Sequence, residues 1–141
     1  MNVHGDRPVL GNDSAALRDA RAAVDRFAAG LQKGLDDTDA DTYDGSFAAD
    51  VLWGSPYGAT LIGFEELNAV HRSLMAKRAA PPSRFEVVAV SAPAPGVAVA
   101  HIRRRALEDD GFSEMALYTL VERDGHWWLA GAQNTPVAAH G

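Results

Sequence analysis

From Arg84 to Thr135 the chain divides into four strand-length runs, and this stretch restricts the fold more than any other feature. The runs are Arg84–Ala92, Val97–Leu107, Phe112–Arg123 and His126–Thr135. Pro93-Ala94-Pro95-Gly96, Asp109-Asp110-Gly111 and Asp124-Gly125 part them, each with the Pro, Gly and Asp chemistry of a tight reversal. The pattern predicts a β-meander. One run is unusual: Met115 to Val121 is largely apolar on both faces. A strand with one wet face alternates. This strand is therefore expected to be covered twice, by helices on one side and by a second copy of the chain on the other.

The first half has a different period. Leu17, Ala20, Val24, Phe27, Leu31 and Leu35 recur at three- and four-residue steps, predicting a helix over Asp13–Leu35 capped by Asp13 or Ser14. Thr38 is expected to cap a short second helix that buries Tyr43 and Phe47. Val51–Trp53 and Ala59–Ile62 read as short strands around the turn Gly54–Gly58. A third helix is predicted from Phe64 to Ala79, with Leu67, Val70, Leu74 and Met75 on its apolar face, stopped at Ala79-Ala80-Pro81-Pro82. Helices first and strands after predict an α+β architecture, three N-terminal helices packed on a curved antiparallel sheet. A single domain over 13–137 is expected, with polar tails at 1–12 and 138–141.

The net charge of −6 argues against nucleic acid or an anionic membrane as partner, since phosphate binding needs clustered Lys and Arg. The cluster Arg103-Arg104-Arg105 is followed at once by Glu108, Asp109 and Asp110. There is no cysteine, which removes disulfides, thiolate catalysis and cysteine metal sites and fits a cytoplasmic setting. No apolar run approaches the ~20 residues of a membrane span, and Met1–Asn12 lacks the pattern of a signal peptide. The five histidines show no metal-ligand spacing, so neither metal nor cofactor is expected.

Several short signatures occur in a characteristic order: Phe47-Ala48-Ala49-Asp50-Val51, then Pro56-Tyr57-Gly58, Gly63 and His71, then Asp124-Gly125-His126-Trp127. Together with the element order they resemble the SnoaL-like, ketosteroid-isomerase-like (nuclear transport factor 2-like) superfamily over about Asp13–Pro136. The resemblance implies a cone-shaped fold around an apolar pocket, with Phe47–Val51 ending the second helix. The ending Ala132-Gln133-Asn134-Thr135-Pro136 is similar to the SgcJ/EcaC-type subgroup found in enediyne and other polyketide biosynthesis. That implies a hydrophobic polyketide-derived ligand, other enzymes of the same pathway as partners, and a bacterial source. In ketosteroid isomerases the base is an Asp before the Pro of the Pro-x-Gly turn, and an oxyanion-binding Tyr lies on the first helix. The matching positions here are Ser55 and Phe27. A hydroxyl does not hold a proton near neutral pH as a carboxylate does, so that mechanism is not expected.

His71 lies four residues after Leu67 and four before Met75, on the third helix's apolar face. It is either an acid/base in the pocket or a core histidine donating to a backbone carbonyl. His101 and Arg103 share a strand face and hold a ligand oxygen if that face is concave; Arg104 lies on the opposite face. Trp53, Tyr57, Met75, Met115 and Tyr118 are candidate pocket walls or plain core. Gln133, in the row of Trp127, Leu129 and Gly131, is a further pocket candidate. Asp50 and Trp127 are read as structural, and Asp36–Asp44 as a solvated run. Three functions remain open at this point: cofactor-free cyclase-, isomerase- or hydratase-type chemistry, non-catalytic sequestration of a hydrophobic molecule, or a dimerisation module with a filled cone.

Overall fold

The structure, a computed structural model, describes residues 5–77, 82–109 and 111–138. Its elements are α1 (Ser14–Asp36), α2 (Ala40–Tyr43), β1 (Phe47–Gly54), β2 (Thr60–Ile62), α3 (Phe64–Ala76), β3 (Ser83–Ala94), β4 (Val97–Ala106), β5 (Ser113–Arg123) and β6 (His126–Val137). The expected end of the third helix at Ala79–Pro81 and the turn residue Asp110 lie outside the described residues.

The Asp13 side chain accepts from the Ala16 amide and starts α1. One face of α1 buries Ala20, Val24, Phe27 and Leu31 against the sheet. That face is received by small side chains, since Ala92, Ala98, Ala100 and Ala116 are buried on the opposing strands. Gln32 ties the helix to β3, its Nε2 donating to the Ser83 carbonyl and its Oε1 accepting from the Phe85 amide. Gly34 lets α2 approach closely, because a Cβ there would run into the Tyr43 backbone. None of the described helices is long and apolar enough to cross a membrane.

The sheet has six strands in the order β2-β1-β6-β5-β4-β3. The meander β3–β6 is antiparallel, as its turns predict, but β1 runs parallel to β6. The sheet is therefore mixed rather than antiparallel throughout. Phe47–Val51, expected to close the second helix, instead belongs to β1. Thr38 takes a positive φ of 52°, so Asp39 caps the helix start in its place, accepting from Asp41 and Thr42; the helix ends at Tyr43, with Asp44 as its C-cap.

Two irregularities decide which side chains face inward. In β6, Thr119 pairs with Gly131 and Leu120 with Leu129, so Ala130 is an extra residue. In β1, Phe47 pairs with Leu129 and Leu52 with Gly131, so pairing is interrupted between them. The inner face carries Ala98, Ala100, Ile102 and Arg104 on β4, Glu114, Ala116, Tyr118 and Leu120 on β5, and Leu129, Ala132 and Asn134 on β6. The outer face carries His101 and Arg103, exposed, with Met115, Leu117 and Val121 beside them. Leu117 is 44% exposed.

Candidate functional site

At the end of the cone where β4 finishes and β5 begins, polar groups enter an otherwise apolar interior. The centre is His71 on α3. Its Nδ1 lies 2.7 Å from Oδ1 of Asp44, the residue that ends α2. Asp44 is 1% exposed. Its other oxygen accepts from Asn68 Nδ2 at 3.0 Å, and the same amide reaches Asp41 Oδ1 at 3.2 Å. Asp41 in turn takes a two-pronged pair from Arg72, at 3.0 and 2.8 Å. Asn68, His71 and Arg72 can do this together because residues three and four apart share one helix face. Asp44 thus orients the imidazole with its proton on Nδ1 and leaves the Nε2 lone pair as acceptor. Nε2 makes no hydrogen bond among the described residues.

The ring is set in an aromatic cage, with its centroid 5.1 Å from Tyr43, 5.4 Å from Trp53 and 6.2 Å from Phe47, each near edge-on.

Facing this cage from the sheet are Arg104 and Glu114. The β4–β5 ladder sets them directly opposite each other, yet among the described residues they form no ion pair. Arg104 Nε donates to Ser83 Oγ at 2.8 Å. Burial raises the Glu114 carboxyl above its ordinary value, opposed by the charges of Arg104 and His71. Burial likewise pushes the hydroxyls of Tyr43 and Tyr118 up, so both remain donors. Asn134, 2% exposed, donates from Nδ2 to the Gly54 carbonyl, and its buried Oδ1 has no partner.

The sequence candidates divide accordingly. His71, Trp53 and Tyr118 come together inside the cone. His101 and Arg103 do not; they stand on the convex side, and Arg104 takes the inward position. Gln133 is exposed because Ala130 shifts the alternation by one, which turns Asn134 inward instead. Tyr57 is 80% exposed on its turn, where its ring lies 6.1 Å from Phe112 and helps form the rim. Met115 is half-buried on the outer face. Met75 packs partly on the core but lines a small surface depression of about 180 Å³ with Asp41 and Arg72. On α3, Val70 and Leu74 are exposed, and the inward positions are Leu67, Asn68 and His71. Ser55 Oγ is occupied in its own turn, accepting from the Tyr57 and Ala59 amides.

Asp44, read from sequence as part of a solvated acidic run, is instead the buried partner of His71. Only a contact spanning 27 residues distinguishes it from its neighbours, and no local pattern reports that. Glu114 was legible, being a charge in the row of Ala116, Tyr118 and Leu120. The expected cavity bounded by Trp53, Tyr57, His71 and Met75 does not coincide with a depression found elsewhere on the structure. That depression, of about 970 Å³, lies where β1 and β6 part. Ile62, Phe64, Val121, Trp128 and Ala130 line it, with Asp50, Glu65 and Glu66 at its edge. No cluster of His, Asp or Glu with metal-binding geometry occurs among the described residues.

No family model and no curated protein matches the chain. Solved structures do. A domain of unknown function with a cystatin-like fold from Nostoc punctiforme is 16% identical, with a TM-score of 0.72 over 85% of this chain and 78% of that one. An NTF-2 like protein of unknown function from Shewanella oneidensis is 13% identical, with a TM-score of 0.71 over 82% and 98%. A ketosteroid isomerase-like protein from Erwinia carotovora is 15% identical, with a TM-score of 0.68 over 83% and 95%. At these identities the likeness is one of fold, and the chain has the nuclear transport factor 2-like, cystatin-like cone.

Proposed function

We propose that the cone interior binds a small, largely apolar, oxygenated molecule and moves a proton on it without a cofactor. The observation that carries this reading is the Asp44–His71 pair, in which a buried carboxylate fixes the ring and leaves Nε2 free. A buried carboxylate held only for stability is a poor use of its desolvation cost. As an orienter of a general base it has a reason to be there. A substrate proton passes to Nε2, Asp44 stabilises the imidazolium, and the proton returns to a different atom. That sequence serves isomerisation, cyclisation or hydration. The subgroup resemblance of residues 132–136 favours a polyketide-derived substrate, a class rich in enolisable carbonyls.

The test uses 2-tetralone as a generic enolisable ketone, following exchange of its α protons in deuterated water by NMR. The chain is expected to accelerate exchange, and His71→Gln to lose about 10²-fold or more of that acceleration with an unchanged melting temperature. No acceleration by the native chain, or full activity in His71→Gln, would overturn the reading.

A second reading, sequestration without chemistry, is favoured by Ser55 and Phe27. The first is engaged in its turn, and the second, buried against Tyr118, has no hydroxyl. Under it, ligands bind equally well to native and His71→Gln protein. For assembly, we infer a homodimer through the outer face. Leu117, 44% exposed, would gain from a cover. Light scattering should give twice the 15.0 kDa chain mass; a single-chain mass at micromolar concentration contradicts it.

A further inference from the structure

At the polar end of the cone one buried atom is unmet by the protein, and two opposed charges do not close on each other. Glu114 is 6% exposed and has no hydrogen-bond partner among the described residues. Arg104 uses Nε on Ser83 and leaves both Nη groups without a hydrogen bond among those residues. Asn134, one residue pair further along the β5–β6 ladder, has a buried, unpartnered Oδ1. Buried polar groups are nearly always paired. Opposite charges placed face to face on adjacent strands ordinarily close on each other. A cluster that does neither is built around something else.

We propose that this end of the cone is a carboxylate-binding subsite, in which the Arg104 guanidinium and the Glu114 carboxyl hold the carboxylate of a small aromatic acid. Arg104 supplies charge and a planar fork of donors matched to two carboxylate oxygens. Glu114 takes up one proton from solvent on binding and becomes a donor. The groups facing Glu114 permit this: Arg104 from β4, His71 from α3, Tyr43 from α2 and Tyr118 from β5 itself. Asp44 is engaged by His71 and Asn68 and adds no free acceptor. The packed rings of Tyr43, Trp53 and Tyr118 form an apolar wall behind the subsite, and the ring of the acid lies outward of them. This deepens the reading above and rests on the same interior admitting a ligand.

The test is equilibrium binding of benzoate and 2-naphthoate, by calorimetry in two buffers of different ionisation enthalpy. Saturable binding with net proton uptake is expected, weakening as pH rises and Glu114 ionises against the anion. Arg104→Met should weaken binding tenfold or more, and Glu114→Gln should bind at least as tightly with less proton uptake. Arg103→Met, on the outer face, should bind as the native chain does. Should Arg104→Met fail to fold, Arg104→Lys should bind more weakly because the fork is lost. Neither acid binding at millimolar concentration, or equal weakening by Arg103→Met and Arg104→Met, would overturn the subsite. Proton exchange on 2-tetralone is a separate measurement on a neutral ketone, so loss of one result leaves the other standing.

Discussion

The two ends of the sheet's inner face are made by the same strands and do opposite things. Under α1, alanines on β4 and β5 meet Val24, Phe27 and Leu31, and large side chains fill the space that small ones leave. The buried side chains of this helix face are apolar. At the other end the same strands present Arg104 and Glu114, while α3 presents His71 backed by Asp44. Nearly every contact of the first end is a packing contact, and its cost of disruption is the cost of a cavity. The second end carries polar groups that oppose folding unless a partner arrives. One end is held by packing, and the other is organised by the polar network of His71, Asp44 and Asn68.

That contrast can be broken most forcefully at Phe27. Its ring sits 5.1 Å from Tyr118 and 6.1 Å from Phe47, 7% exposed. Phe27→Ala should cost about 3–5 kcal/mol in denaturant unfolding, as large-to-small core changes do. A loss below about 1 kcal/mol would mean that the packed end is not the anchor. An intermediate effect is expected at Asp44. Asp44→Ala removes the acceptor of both Asn68 and His71. It should cost about 1–3 kcal/mol, the penalty of leaving buried polar groups unmet. Nitrogen NMR should also show His71 losing its fixed Nδ1–H tautomer. A tautomer unchanged in the variant would separate Asp44 from the site.

The smallest effect should have the opposite sign. The Glu114 carboxyl is raised in the folded chain, mainly by burial, so the folded state keeps its proton longer than the unfolded state. Its contribution to stability is full in acid and is lost as pH climbs from the ordinary value of 4.5 through the raised one. Glu114→Gln stays neutral throughout. It should match the native chain in acid and exceed it in stability near neutral pH. A variant less stable than the native chain at neutral pH would show that Glu114 is satisfied there.

Much of the fold was legible because its signals are periodic and local. The α1 stripe from Leu17 to Leu35 and the turn chemistry at Gly96 and Asp124-Gly125 placed one helix and the meander close to where they lie. β1 was not legible in its first half. Phe47-Ala48-Ala49-Asp50 carries no alternation, and its strand character comes from pairing with β6, remote in sequence. In the site, His71 was reachable through helix spacing and Trp53 and Tyr118 through their chemistry. Arg104 and Glu114 needed only the correct sign of the strand faces. Gln133 was assigned to the interior by counting in twos from Leu129, and such counting fails at an inserted residue. Asp44 was beyond any local rule, since its neighbours Asp36, Asp37 and Asp39 are exposed and differ from it only in what folds over them.

The extra residue at Ala130 sets which side chains of β6 face inward. Upstream of it, β6 sends odd-numbered Leu129 to the core; downstream, it sends even-numbered Ala132 and Asn134 there. One residue more or less at that point would exchange the whole terminal segment between the interior and the outer sheet surface. Gln133 and Thr135 would then furnish the cone, and Asn134 would decorate its exterior. The chemistry of the cone interior can therefore be revised by a single codon gained or lost, with no substitution at any interior position.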